Sequence, residues 1–156
     1  MNGLPVTDAR GNTLVSLRFG TERDLTAPMP LALVVVEVDG RVLLVFDRRR
    51  GQWGLPGGTI ELGETSHRAA VRELAAETGI VVSGLRFAAV ARFVLRDPVR
   101  REYAAVYRAG FATEPAVRPR HDEVSAIAWW HPGTRLLRDQ GLLDAEIARR
   151  VTGSAR

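Results

Sequence analysis

Two acidic residues, Glu73 and Glu77, stand four positions apart inside GTIELGETSHRAAVRELAAETGI, the run from Gly58 to Ile80. On a helix that turns about 100° per residue they lie roughly 40° apart, one above the other. Carboxylates placed so closely repel unless a cation sits between them. Glu64, near the start of the same run, adds a third carboxylate, and the chain has no cysteine to supply a thiolate. Oxygen donors alone suit Mg²⁺ or Mn²⁺ rather than zinc, and Mg²⁺ is usually held by one or two carboxylates together with substrate phosphates. The Gly57-Gly58 pair lets backbone approach a ligand with no Cβ in the way. The chemistry this pattern predicts is metal-assisted handling of a polyphosphate.

These side chains need a scaffold, and the surrounding sequence predicts one. Thr65 or Ser66 can cap the helix, His67, Ala70, Val71 and Leu74 recur at three- and four-residue spacing as its apolar positions, and Gly79 supplies a left-handed stop. Upstream, Leu31 to Val38 and Arg41 to Phe46 read as strands joined by a two-residue Asp39-Gly40 turn. From Asp47 to Gly63 the chain carries three arginines, five glycines and Pro56, which predicts a ligand-binding loop without regular elements. Strands are expected over Leu85 to Leu95, Glu102 to Phe111 and Val124 to Trp130. The tail from Pro132 to Val151 reads as helix in two pieces broken near Gly141. Residues 1–26 read as an ordered preamble with one strand-like alternation, Leu14 to Phe19. The order of elements predicts an α+β class, a mixed sheet flanked by helices.

Composition narrows the field further. The 156 residues are 46% hydrophobic and 26% charged, which fits a single soluble domain spanning 1–156. The longest aliphatic stretch, Leu31 to Val38, is interrupted by Glu37 and falls short of the roughly 20 residues a membrane span requires. The start, Met1-Asn2-Gly3-Leu4-Pro5, lacks a basic and apolar leader pattern, so the cytoplasm is the expected location. All 22 basic residues are Arg and the net charge is +4, a balance that favours anionic ligands. The arginines are scattered and form no basic stripe with interleaved aromatics, so no specific nucleic-acid binding is expected.

The run from Gly58 to Ile80 resembles the signature of the Nudix hydrolases: Gly, five residues, Glu, seven residues, then Arg-Glu-aliphatic-any-Glu-Glu-any-Gly-aliphatic. Gly58, Glu64, Arg72, Glu73, Leu74, Glu77, Gly79 and Ile80 match it, and Trp53-Gly54-Leu55-Pro56-Gly57 is similar to the family's preceding segment. At average residue frequencies the fixed positions coincide by chance on the order of 10⁻⁷ of the time per start position. One position departs: Ala76 stands where the signature has the first Glu of its pair. The resemblance implies an αβα sandwich with a mixed β-sheet and the Mg²⁺-dependent hydrolysis of a nucleoside diphosphate linked to another group. It implies Glu73, Glu77 and the Gly57 carbonyl as metal ligands, Glu73 also orienting or deprotonating water, and Arg72 and Glu64 as partners holding the carboxylates. Ala76 predicts weaker metal occupancy, or, in its severe form, a nucleotide-binding module without turnover.

Further candidates surround this core. The run Arg48-Arg49-Arg50 can grip phosphates or form a charged turn, and Arg48 is taken as its substrate-binding member. Trp53 either stacks on a base or wedges the loop. Glu123, in His121-Asp122-Glu123 before the last strand, sits where the resemblance places a loop carboxylate able to join the metal or act as base. Alternation sends one ring of Trp129-Trp130 inward and one to the opposite face, with Trp130 taken to line the nucleotide pocket along with Gly58. Within the family reading, a nucleoside triphosphate or its oxidised form in the MutT-like manner comes first. ADP-ribose, nucleotide sugars, dinucleoside polyphosphates and capped RNA are the alternatives. Monomer and homodimer are both compatible with the sequence.

Overall fold

The computed structural model describes residues 3–20, 29–120 and 122–153. Along them run β1 (Val6–Thr7), β2 (Thr13–Phe19), β3 (Leu31–Val38), β4 (Arg41–Asp47), β5 (Gln52–Gly54), β6 (Gly57–Thr59), α1 (Ser66–Thr78), β7 (Arg86–Leu95), β8 (Arg100–Gly110), β9 (Val124–Trp130) and α2 (Leu142–Gly153). The strands make one mixed sheet in the order β1-β2-β7-β8-β3-β4-β5, with β6 added to β3 and β9 to β4. All pairings are antiparallel except β3 with β8.

The Asp39-Gly40 turn forms as expected, with φ of 51° and 75° at its two residues, the geometry that matches strand twist in a tight hairpin. The hairpin does not zip up. β3 and β4 pair only at Glu37↔Val42 and Val38↔Arg41 and then splay. The chain from 52 to 59 fills the wedge, β5 pairing with β4 and β6 with β3. The stretch from Asp47 to Gly63 is therefore not the unstructured loop its composition predicts. The splayed strands leave ladder donors and acceptors open, and six of its residues satisfy them despite the glycines.

Alternation along β3 divides the interior. Ala32, Val34 and Val36 face α1, packing with Ala69, Ala70, Leu74, Ala105 and Tyr107. Val35, on the opposite face, packs with Val42, Leu44, Ala104, Val106 and the α2 residues Leu143, Ala145, Ile147, Ala148 and Val151. One helix covers each face, which gives the αβα sandwich. Among the described residues no helix is long and apolar enough to cross a membrane.

Other expectations need correction. The tail is one helix, not two: Pro132 to Gly141 is a turn-rich segment, and Asp139 adopts a φ of 61° that interrupts helical geometry. The strand-like alternation from Leu14 to Phe19 forms β2, which with β1 extends the main sheet and places Leu14 and Leu17 in its core. The preamble's residues 1, 2 and 21–26 lie outside the described residues. His67, at an apolar position of the helix repeat and read as structural or exposed, is exposed, its ring edge-on to Tyr107 at 5.4 Å and its Nε2 3.3 Å from the Leu85 carbonyl.

Candidate active site

Helix α1 places the acidic pair. Its N-cap is Thr65, whose hydroxyl accepts the Arg68 N–H at 3.1 Å, and Gly79 ends it at a φ of 82° that favours glycine. Buried Ala69, Ala70 and Leu74 fix the helix's rotation. That rotation presents Glu73 and Glu77 to β6. The Glu77 Oε1 accepts the Gly57 N–H at 2.9 Å. The Glu73 carboxylate lies against Gly58, where an added Cβ would meet Oε2 at 2.6 Å. Ala76 sits on the exposed side of the helix.

Glu77 is costly to ionise here. Burial pushes its carboxyl up to about 8, against the help of the Gly57 N–H, and the charges of Glu73, Asp47 and Glu123 push the same way. Three other carboxylates thus lie close enough to act on Glu77. Among the described residues no three acidic or histidine side chains already stand in a ligating arrangement, for Glu73 is held by Arg72 and Glu77 by Gly57. The donor set nonetheless fits a hard divalent cation: oxygen ligands only, on one helix face, with repulsion that such an ion would relieve.

Arg72 braces this arrangement. Its guanidinium grips Glu64 through two hydrogen bonds of 2.7 and 2.9 Å, pairs with Glu73 Oε1, and donates to the Thr59 carbonyl at 3.0 Å. That fork holds Glu64 down to about 2, helped by the backbone N–H of Glu61, and raises Arg72 well above its ordinary value. The planar two-point contact is what lysine cannot reproduce. Arg72→Lys is expected to keep the charge yet lower Mn²⁺ affinity about ten- to a hundredfold. A Mn²⁺ titration beside a thermal melt checks this, and unaltered affinity would remove Arg72 from the brace.

Glu123 lies near enough to act electrostatically on Glu77. Its carbonyl accepts the Arg48 N–H at 2.7 Å, and its carboxylate pairs with Arg49. The loop before it crosses the C-terminal end of α1, where Arg118 and Arg120 N–H groups donate to the Thr78 and Glu77 carbonyls at 3.1 and 3.2 Å. His121 lies outside the described residues. In the arginine run, Arg48 is exposed, and Asp47 Oδ1 accepts the N–H groups of Arg49 and Arg50. The run is a charged turn at the rim of the acidic cluster.

The two tryptophans taken for substrate contacts are placed differently. Trp53 is half-buried, edge-on to Phe46 at 5.2 Å, with its backbone tied to Asp139 and Gly141. Trp130 is 2% exposed in the core beneath α2, and its indole N–H donates to the Arg135 carbonyl at 3.1 Å. No substrate surface is left on it. The alternation itself holds, since Trp129 turns to the other face with Arg41 5.6 Å over its ring.

Sequence reasoning missed Asp47 and Asp144, and named Arg49 only within the arginine run, not as the partner of Glu123. Asp144, on α2, accepts the Leu55 N–H at 2.8 Å behind the Gly54–Gly57 turn, and burial raises its pKa against that hydrogen bond. Nothing in its sequence neighbourhood marks it, because the contact bridges 89 positions. Asp47 ends a strand beside an arginine run, which was a usable signal.

Comparison with known proteins agrees with this geometry. Residues 28–151 match the NUDIX domain family model. A MutT-like protein of Streptomyces ambofaciens is 35% identical over 120 residues, covering 74% of each chain. The uncharacterized Nudix hydrolase YvcI of Bacillus subtilis is 38% identical over 63 residues, so the match spans only 40% of the length of each. Among solved structures, a MutT Nudix hydrolase from Burkholderia pseudomallei superposes with a TM-score of 0.68 at 26% identity, covering 80% of this chain and 97% of that one.

Proposed function

The chain belongs to the Nudix family of hydrolases acting on pyrophosphate bonds, and on that premise we propose that it hydrolyses a nucleoside triphosphate, in normal or oxidised form, in the manner of its MutT-like relative. The observation that carries the reading is the presentation of Glu73 and Glu77 together to Gly57 and Gly58. Mg²⁺, or Mn²⁺ in its place, would be held by Glu73, Glu77 and the Gly57 carbonyl. When bound it supplies Lewis-acid polarisation of phosphoryl oxygen and neutralises charge that develops there.

The chain's own groups do the rest. Arg72 and Glu64 keep Glu73 in place, so its carboxylate can orient a water molecule, while Glu123 is the second candidate to receive the proton. Gly58 leaves room for the diphosphate beside Glu73. Arg48 stands at the rim as an anchor for the anionic tail, and Trp53 flanks the same turn. The match binds the reading to the diphosphate and not to the appended group. A screen of nucleoside triphosphates, ADP-ribose, nucleotide sugars and capped RNA, with orthophosphate and pyrophosphate measured separately, tests it. Monophosphate plus pyrophosphate from triphosphates is the expected result. Release from none of them, with nucleotide still bound, would make the chain a binding module.

The exposed position of Ala76 allows a sharper check. Ala76→Glu places a carboxylate three residues from Glu73 without touching the core. It is expected to lower the Mg²⁺ concentration for half-maximal activity about tenfold, since ligand charge count tunes such sites.

A further inference from the structure

We infer that Asp144 is a positioning residue for the Gly54–Gly57 turn, its carboxylate on α2 holding the Leu55 amide and thereby setting where Gly57 meets Glu77. The inference rests on the proposed function, since it concerns the turn that carries Gly57. Three consecutive residues of the turn are anchored by three different elements. Asp144 of α2 accepts the Leu55 N–H at 2.8 Å, Val34 of β3 donates to the Pro56 carbonyl at 2.9 Å, and Glu77 of α1 accepts the Gly57 N–H at 2.9 Å.

The Asp144 carboxylate is packed close against the turn it holds. A Cβ on Gly54 would lie 2.6 Å from its Oδ2, so the carboxylate keeps its place on the Leu55 amide only because residue 54 is glycine. The helix end that bears it is fixed in turn, as Gly141 N–H donates to the Trp53 carbonyl at 2.8 Å and Trp53 N–H to the Asp139 carbonyl at 2.8 Å. A carboxylate turned inward to serve a single amide is an expensive acceptor. Placement in the first turn of α2 offsets part of that cost through the helix dipole. Asp144 is the acceptor that the Leu55 amide has in the fold, and a buried donor left unpaired by its loss would drive the turn to rearrange. Gly57 lies two residues away. The second helix, remote in sequence from the signature, thus governs the geometry at the acidic pair.

The test compares full-length wild type with Asp144→Leu, Asp144→Asn and Gly54→Ala. Mn²⁺ alone is titrated by electron spin resonance, and amide hydrogen exchange is followed at Leu55 and Gly57. Asp144→Leu is expected to lose about ten- to a hundredfold in Mn²⁺ affinity together with protection at both amides. Asp144→Asn keeps an acceptor oxygen and is expected to stay within about threefold of wild type. Gly54→Ala, which pushes the carboxylate away, is expected to follow Asp144→Leu and decides the matter should that variant not fold. The inference is overturned if Asp144→Leu or Gly54→Ala unfolds more easily yet keeps Gly57 protection and Mn²⁺ affinity, which is a merely structural role. It is equally overturned if Asp144→Asn loses as much as Asp144→Leu. Absence of turnover in wild type would sink the proposed function alone, because the exchange readout needs neither metal nor substrate.

Discussion

Glu77→Gln is expected to reduce metal-dependent hydrolysis about 10³-fold while leaving the metal-free protein as stable as before, or more so. A bound cation supplies several kcal/mol of transition-state stabilisation, and each 1.4 kcal/mol is a factor of ten in rate. The amide oxygen of Gln still accepts the Gly57 N–H, so the turn is preserved. Stability moves the other way because the native carboxylate is strained by burial. Its pKa is about 8 in the fold against 4.5 for the ordinary group. Between those values the folded state holds a proton that the unfolded chain has released, so this group's contribution to stability is full below about pH 4.5 and falls as pH rises toward 8. The loss is on the order of a few kcal/mol. Denaturant titrations with chelator at pH 5 and pH 8 should show the wild type losing this increment and the Gln variant not. The same proton competes with metal, so Mg²⁺ affinity should rise through this window in wild type. Parallel stability curves for the two proteins would mean that Glu77 is not buried as described.

Gly57 and Gly58, adjacent in sequence, are expected to fail in opposite ways. At Gly57 an added Cβ would lie 2.2 Å from the Ala32 carbonyl oxygen and 2.9 Å from the Leu33 Cα, at a φ of 153°. Backbone in the middle of a sheet cannot yield, so Gly57→Ala should cost about 3 kcal/mol or more through overlap and backbone strain. At Gly58 the Cβ would meet only the end of the Glu73 side chain, 2.6 Å from Oε2 and 2.7 Å from Cδ. That side chain can swing aside, and the protein stays folded. The displaced carboxylate then costs about a hundredfold in turnover, the usual effect of an ångström's misplacement. Thermal melts separate the first case and steady-state kinetics the second. A fully active Gly58→Ala would show that the Glu73 position is not critical.

Much of the scaffold was legible because its signals are local. Thr65 and Gly79 bound α1 through hydrogen bonds and φ preferences that reach only a few residues, and the Asp39-Gly40 turn depends on two residues alone. The wedge between β3 and β4 was not legible. Whether a hairpin zips or splays depends on what else can pair with its strands, and here the glycine-rich stretch does so against its own composition. Trp130 shows the same limit. Alternation told that the two rings part, but which face is core depended on α2, whose packing the local pattern cannot report.

The spacing of Glu64, Arg72, Glu73 and Glu77 along the chain by itself determined the class of chemistry, because one helix turns those intervals into one face. Only the tertiary structure decided what meets that face. Gly57 and Gly58 are brought to it by strand pairing and Glu123 by a loop laid over the end of α1, while Asp144, on a helix across the sheet, holds the turn that carries Gly57. Sequence separation carries no information about such contacts, since they follow from how two apolar helix faces cover one sheet rather than from any periodicity along the chain.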